Sequence, residues 1–205
     1  MFGTVFVIII LATMENINSK FNEELQQQID GTLPKGHVYS LGYPGENLLS
    51  AGLSNLPIEL NSERMANKAN PNYRRKHPFD LSEVKDLPNA INNPIAVFNS
   101  TKNDGAKIIL TSLQHNGNNF VIVMKIQKKG RGRGNKEIND IRSIYPKDNI
   151  TDLMHLFKSG NRLITWLDKE KALNFVSVQS TNLIGNGNKI QGSIINIVNN
   201  FENVK

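Results

Sequence analysis

Four short apolar runs separated by turn residues constrain the fold more than any other feature of this chain. Residues 94–98, 107–113 and 119–126 each have the length of a strand and contain many β-branched side chains. The Asn116-Gly117 pair between the second and third runs is typical of a two-residue hairpin turn, in which both central residues need a positive φ. These runs therefore predict consecutive antiparallel strands.

The fourth run, residues 137–145, has an ambiguous periodicity. Its three isoleucines recur at a spacing of three, which indicates a helix. Ile141, Ser143 and Tyr145 instead occupy alternate positions, which indicates a strand. We favour a strand for the second half of this run, so the sequence predicts a central four-stranded antiparallel sheet.

Helical patterns flank these strands on both sides. Residues 19–29 and 80–92 carry apolar stripes and suitable capping residues, with a proline that should split or kink the second segment. Residues 148–159 and 168–175 show amphipathic patterns after the last strand. N-terminal helices, a central antiparallel sheet and C-terminal helices together predict an α+β fold.

The two ends of the chain show different patterns. Residues 2–12 are apolar, too short to span a bilayer as a helix, and not preceded by the basic residues of a secretion signal. We interpret them as a buried strand or a remnant of a longer parent chain. The asparagine-rich stretch after residue 180 predicts a loop and a weak terminal element. We divide the chain into residues 1–36, a central domain over 37–175 and an extension over 176–205.

The composition limits the kinds of partner and of catalytic or metal site that we expect. The chain has 24 Lys and Arg against 18 Asp and Glu, a net charge of +6, which favours a polyanionic partner such as RNA or DNA. The alternative is simply a soluble basic protein. Cysteine is absent, which excludes disulfide scaffolds, zinc–thiolate sites and cysteine nucleophiles. HExxH, GxSxG and P-loop motifs are also missing, so we expect neither a metal nor a cofactor.

His77 is the histidine whose neighbours most favour catalysis. It follows Arg74, Arg75 and Lys76, and such a run of cations favours the neutral imidazole that can accept a proton near pH 7. The alternative for this segment, residues 69–78, is a solvated linker. We interpret the remaining histidines as surface residues: His37, His115 and His155.

A second candidate cluster lies at the end of the fourth run and comprises Arg142, Ser143, Tyr145 and Lys147. Arginine can hold a phosphate bidentately, lysine can offset charge on a pentavalent phosphorus, and tyrosine can stack on a base. On a regular strand Arg142 would point away from Ser143 and Tyr145, so the groups converge only with a bulge or turn. The alternative is a core tyrosine flanked by surface cations.

The glycine-rich, cationic stretch between the third and fourth runs suits contact with nucleic acid. A solvated hairpin tip explains the same composition equally well. The predicted nucleic-acid-binding residues are those of this stretch and those before His77: Lys128, Lys129, Arg131, Arg133, Arg74, Arg75 and Lys76.

Several motifs, in order along the chain, carry a family resemblance: HPFDLSEVKDLPNAINNPIAVFNS, KIILTSL, NFVIVMKI, INDIRSIYPKDN and GNRLITWLDKEKAL. Residues 37–175 resemble the phage MuF C-terminal domains and related domains in polyvalent proteins of phages and conjugative elements. Those domains are grouped with the barnase–EndoU–colicin–RelE-like nucleases. The resemblance implies a small α+β fold with a four-stranded antiparallel sheet, and a metal-independent ribonuclease delivered by a phage or mobile element as a toxin or effector. The Ser-Ile-Tyr-Pro at 143–146 is similar to the Thr-Ala-Tyr-Pro of EndoU-type toxins, which implies active-site roles for Ser143 and Tyr145.

We therefore expect an endoribonuclease in which His77 removes the proton from the substrate 2′-hydroxyl. Arg142 and Lys147 would stabilise the phosphorane, while Ser143 and Tyr145 would position the phosphate and base. The expected partner is RNA, with an immunity protein or phage portal and head proteins as further candidates and no membrane. The expected location is the cytoplasm, including that of a bacterium into which the protein is delivered.

Two other functions stay open at this point. A non-catalytic nucleic-acid or virion-protein binding module would bind RNA in a salt-dependent way without cleaving it. An ADP-ribosyltransferase toxin would typically carry a Glu-x-Glu motif on a strand, and the sequence has no such motif.

Overall fold

The computed structural model describes residues 2–72, 77–129, 136–148, 150–180 and 187–202. Seven strands within these ranges form one open sheet: β1 Val38–Ser40, β2 Ile58–Asn61, β3 Ala96–Asn99, β4 Ala106–His115, β5 Asn118–Lys129, β6 Lys136–Pro146 and β7 Ile164–Leu167. The α-helices are α1 Phe2–Ile29, α2 Glu46–Ser50, α3 Ser62–Ala69, α4 Leu87–Asn92, α5 Ile150–Lys158, α6 Lys169–Ser180 and α7 Gly187–Asn200. Short 3-10 helices occupy Leu81–Val84 and Gly160–Arg162. The fold is mixed α+β, as predicted.

The sheet has the strand order β1-β2-β6-β5-β4-β3-β7. Its centre is the predicted antiparallel meander β3-β4-β5-β6. The expectation of four strands is wrong, because three short extended segments add to the edges of the meander. β2 pairs parallel with β6, β1 pairs antiparallel with β2, and β7 pairs antiparallel with β3. These short strands cover the unpaired backbone groups that a four-stranded sheet would expose at its edges.

The hairpin between β4 and β5 turns at Asn116 and Gly117, as predicted. Their φ angles are 49° and 77°, and His115 and Asn118 pair on either side of the turn. This two-residue turn sets the pairing of β4 with β5 next to the turn, and the register then shifts between Gln114 and Leu110.

A β-bulge interrupts the pairing of β5 with β6. Val123 pairs with Ser143 whereas Met124 pairs with Ile141, so Arg142 is an extra residue in β6. Because of this extra residue, Ile141 and Ile144 lie on the same face of the sheet although they are three positions apart. The bulge therefore explains the spacing of three between Ile141 and Ile144.

Buried side chains pack on both faces of the sheet. On one face, Ile122 belongs to a cluster with Phe21 and Leu25 of α1 and Ile91 of α4. On the other face, its neighbour Val121 belongs to a second cluster, because successive strand residues point to opposite sides. Helices α5, α6 and α7 supply the covering residues of that second cluster: Leu153, Phe157, Ala172, Val176, Ile194 and Val198.

Both terminal interpretations differ from the structure. Residues 2–12 are not a strand, since α1 runs without interruption through this segment to Ile29. A short apolar run has no periodicity that separates a strand from a buried helix. The prediction of a weak C-terminal element is also wrong, because α7 is a helix of 14 residues whose Ile194 and Val198 are fully buried. No helix in the described part of the chain is long and apolar enough to cross a membrane.

The predicted helix over residues 80–92 is split, as expected from its proline. Asp80 caps the 3-10 helix Leu81–Val84 through a capping box with Glu83, and α4 begins after Asp86. Asp86 has a left-handed backbone with a φ of 61°. This segment follows His77 and carries the chain from that residue into the sheet.

Candidate functional site

A cleft of about 380 Å³ lies on the face of the sheet that α5 covers. The apolar part of its lining comprises Ile108, Val121, Val123, Leu153, Leu156 and Leu163. The polar part comprises Ser100, Thr101, Lys102, Asn103, Tyr145, Lys147, Asp152 and His155. We call this the Tyr145 cleft. Its apolar surface suits a flat base, and its cationic side chains suit a phosphate.

Tyr145 lies near the end of β6, opposite Val121 of β5. Burial raises the pKa of its phenol, Asp152 and Asp148 raise it further, and Lys147 opposes the change. The phenol is therefore protonated at neutral pH. In this form Tyr145 can donate a hydrogen bond to a substrate oxygen, but it cannot act as a base.

Lys147 follows β6 directly and is held at two points. Its backbone N–H donates to the carbonyl oxygen of Asn119 at 3.0 Å, and its Nζ donates to Oδ2 of Asp152 at 2.6 Å. The Lys147 side chain is only 18% exposed, whereas that of Asp152 is 55% exposed. The hydrogen bond from Lys147 lowers the pKa of Asp152, and the charges of Lys147, Lys102 and His155 lower it further. Three cationic or protonatable groups therefore surround this one carboxylate.

His77 contacts the site through Tyr145. The two ring centroids are 5.3 Å apart, with an interplanar angle of 33°. Nδ1 of His77 lies 3.3 Å from Oδ2 of Asp148. When Nδ1 donates its proton to this carboxylate, the neutral imidazole carries its lone pair on Nε2. His77 is not among the described residues that line the Tyr145 cleft.

Arg142 lies in a neighbouring cleft and not beside Lys147. This second cleft, of about 330 Å³, is lined by Asn103, Ala106, Val123, Lys125, Ile126 and Arg142. We call it the Arg142 cleft. Nη1 of Arg142 donates to Oδ2 of the buried Asp140 at 3.1 Å. Arg142 and Lys147 therefore line different clefts, and the catalytic role expected for Arg142 stays a prediction.

The β-bulge nevertheless places Arg142 on the same side of the sheet as Tyr145. Val123 lines both clefts, so the two clefts adjoin on one face. On a regular strand Arg142 would have pointed to the opposite face. Ser143 lies between them, half-buried and opposite Val123, and is not among the described residues that line either cleft.

The predicted nucleic-acid-binding residues are only partly covered by the structure. Lys128 and Lys129 belong to the last residues of β5, which is longer than predicted, and pair with Glu137 and Lys136. The other five lie outside the described residues: Arg74, Arg75, Lys76, Arg131 and Arg133.

Sequence analysis missed several residues of the Tyr145 cleft. His155 is exposed, as predicted for the polar side of α5, but it also lines the cleft. Asp152 precedes it by three positions and therefore lies on the same side of the helix. Lys102 belongs to the polar segment between β3 and β4, which has no motif that separates it from an ordinary loop. Within the ranges that the structure describes, no three His, Asp or Glu side chains form a group that could hold a metal ion.

The fold and the site together define a mixed α+β domain with a cationic cleft on one face of its sheet. Residues 68–174, just over half of the chain, match the phage MuF-C-terminal domain family, and the chain belongs to this family. The matched region contains His77, the meander and α5. Comparison with curated proteins gives no match, and comparison with solved structures gives none.

Proposed function

We propose that this domain is a metal-independent endoribonuclease of the barnase–EndoU–colicin–RelE-like group, which cleaves RNA in the Tyr145 cleft. One observation carries this proposal: the imidazole of His77 packs on the Tyr145 phenol, whose cleft also contains the ammonium group of Lys147. A base, a hydrogen-bond donor and a fixed positive charge are the groups that phosphodiester cleavage by a 2′-hydroxyl requires.

His77 acts as the general base in this proposal. Oδ2 of Asp148 lies 3.3 Å from Nδ1 of His77, and in this proposal the carboxylate favours the tautomer whose lone pair is on Nε2, which accepts the proton of the substrate 2′-hydroxyl. The 2′-oxygen then forms a bond to the adjacent phosphorus and gives a pentavalent phosphorane. Loss of such a base lowers the rate by about 10²–10⁴-fold.

Lys147 and Tyr145 stabilise the phosphorane. The Lys147 ammonium is fixed by Asp152 and is mostly buried, so it needs little reorganisation as negative charge develops on the phosphoryl oxygens. The protonated Tyr145 phenol donates a hydrogen bond to the same group. Removal of one such donor typically costs about 2.7–4 kcal/mol of transition-state stabilisation.

His155 is the proposed general acid. It lines the Tyr145 cleft from α5, whereas His77 contacts Tyr145 from the segment before the meander. As the bond from phosphorus to the 5′-oxygen breaks, His155 gives a proton to that oxygen. The products are a 2′,3′-cyclic phosphate and a free 5′-hydroxyl.

The test is cleavage of a defined RNA by the purified protein in the presence of EDTA. A matched substrate with a single 2′-deoxy nucleotide at the cleaved position serves as the control, because it lacks the attacking oxygen. We expect cyclic phosphate ends from the RNA and no cleavage of the substituted linkage. Intact RNA, cleavage that EDTA abolishes, or cleavage of the 2′-deoxy linkage would contradict the proposal. Salt-dependent binding without cleavage would favour the binding-module alternative.

Membership of a phage domain family favours delivery of this nuclease to a bacterial cell. A toxin or effector role follows if the activity acts on cellular RNA. Expression in bacteria should then arrest growth, and the His77→Ala variant should relieve the arrest. Arrest by both proteins to the same extent would contradict an effector role that depends on cleavage.

A further inference from the structure

Beyond the reacting phosphate, we infer that the Arg142 cleft binds a second phosphate of the same RNA strand. This inference rests on the proposed function, and it defines the substrate as single-stranded RNA with at least one phosphate beyond the reacting one. It assigns Arg142 a role in substrate binding, separate from the stabilisation of the reacting phosphate by Lys147.

Asp140 positions the Arg142 side chain at this cleft. Its carboxylate is buried and accepts from two guanidinium groups, with Nη1 of Arg64 at 3.0 Å from Oδ1 and Nη1 of Arg142 at 3.1 Å from Oδ2. Arg64 also donates to the carbonyl oxygen of Ile141. Asp140 therefore holds the Arg142 side chain at this cleft, and that side chain is 50% exposed.

Arg64, Arg142 and Asp140 form a triad whose charge is suited to an anion. Here Arg64 and Arg142 share one carboxylate, so the triad keeps one net positive charge. Arg64 is the less exposed of the two arginines, at 29%, so the excess charge is presented at Arg142.

Lys125 adds a second cation to the same cleft. It is exposed on β5 and pairs with Asp140 of β6, the residue that holds Arg142. Side chains at paired or neighbouring positions on one face of a sheet lie close enough to contact one ligand. The remaining described lining residues include the Asn103 amide and no carboxylate, so the polar groups of this cleft favour an anion.

The two clefts adjoin, so one RNA strand can extend from the Tyr145 cleft into the Arg142 cleft. Asn103 and Val123 line both of them. The backbone N–H of Lys147 donates to the carbonyl oxygen of Asn119, and Lys125 lies six positions after Asn119 in β5. At roughly 3.4 Å per residue this is about 20 Å, too far for Lys125 and Lys147 to bind one phosphate. The Arg142 cleft therefore suits a neighbouring phosphate of the same chain.

The experiment compares two substrates and three variants. The substrates are a ribodinucleotide with one phosphate and a single-stranded oligoribonucleotide with several, and cleavage is measured as kcat/KM. The variants are Arg142→Gln, Lys125→Gln and, as a control for loss of surface charge, the exposed Lys35→Gln. Binding is measured in parallel with a 2′-O-methyl oligoribonucleotide, which cannot be cleaved by this route. Lys125→Gln leaves both arginines that bind Asp140 in place, so it tests the cleft even if Arg142→Gln lowers stability.

We expect the wild-type protein to prefer the oligomer. Arg142→Gln and Lys125→Gln should each weaken binding of the 2′-O-methyl oligomer about tenfold and reduce the slope of log K against log salt by about 0.7. The kcat/KM for the dinucleotide should be the same in the wild-type protein and in these two variants. Lys35→Gln should match the wild-type protein in both binding and cleavage.

Equal kcat/KM values for both substrates, with no effect of either variant, would overturn the second subsite and leave the nuclease proposal intact. Absence of any cleavage, with the binding losses as expected, would instead overturn the nuclease proposal and support the phosphate site.

Discussion

The imidazole of His77 packs against the phenol of Tyr145, with ring centroids 5.3 Å apart. The two residues come from different parts of the chain, one between β2 and β3 and one at the end of β6. Their contact joins the two segments that carry the proposed chemistry. Oδ2 of Asp148, two residues after the end of β6, lies 3.3 Å from Nδ1 of His77, and Lys147 lies between Tyr145 and Asp148 in the sequence.

The Tyr145→Phe variant should separate binding from catalysis. Phenylalanine retains the ring that packs on His77 and lines the cleft, but it loses the protonated hydroxyl that donates to the phosphorane. We expect kcat to fall roughly 10²-fold, while the affinity for uncleavable RNA and the melting temperature stay near the wild-type values. Unchanged kcat would exclude a catalytic role for the hydroxyl.

Lys147→Met should lower the cleavage rate by about 10²–10³-fold. The ammonium group is fixed by Asp152, and methionine fills a similar volume without charge. Lys158→Met, at the exposed end of the same helix that carries Asp152, controls for the loss of one positive charge. An equal loss of rate in both variants would show that only overall charge matters.

Asp86 should contribute to stability in a pH-dependent way. Hydrogen bonds from Asn22 and Asn18 of α1 lower the pKa of its carboxyl below the ordinary value of 3.8. A group with a lowered folded-state pKa stabilises the fold fully above its unfolded pKa, and this contribution is lost as the pH falls through the folded-state pKa.

Asp86→Asn should therefore lower the free energy of unfolding more at pH 7 than at pH 3. Asparagine tolerates the left-handed backbone at this position, so the substitution tests mainly the charge. Urea unfolding at the two pH values measures the difference. The same destabilisation at both pH values would contradict the assignment.

Helix α7 should be an integral part of the second core. Ile194 is fully buried in the cluster with residues of α5 and α6, so Ile194→Ala should lower the free energy of unfolding by about 2–5 kcal/mol. Asn196→Ala, an exposed position on the same helix, is the matched control and should have little effect. Equal small effects would show that α7 does not stabilise the domain.

The sequence was sufficient to predict the centre of the fold, because its meander depends on local signals. The Asn116-Gly117 turn and three apolar runs of strand length each act over a few residues. The pairing of the edge strands could not be predicted, since β1 has only three residues and β2 and β7 have four. Such short segments become strands only because a neighbouring edge offers unpaired backbone groups.

The site was predictable only in part, for geometric reasons. The residues around Tyr145 were identified from their chemical types, but the bulge at Arg142 shifts that side chain into the neighbouring cleft. A bulge cannot be identified reliably from one sequence, because it only interrupts the alternation of side chains between the two faces of a strand. His155 was interpreted as a surface residue, because its place in the cleft depends on how α5 packs against the sheet.

The most direct test of the account is single-turnover cleavage of RNA by wild-type protein, His77→Ala and His37→Ala in EDTA. His37 is the matched control, since it contacts Glu24 and Tyr39 at the β1 edge of the sheet, away from the Tyr145 cleft. We predict a loss of about 10²–10⁴-fold for His77→Ala with RNA binding retained, and a wild-type rate for His37→Ala. Equal rates for all three proteins would contradict the claim that His77 is the base of a nuclease site.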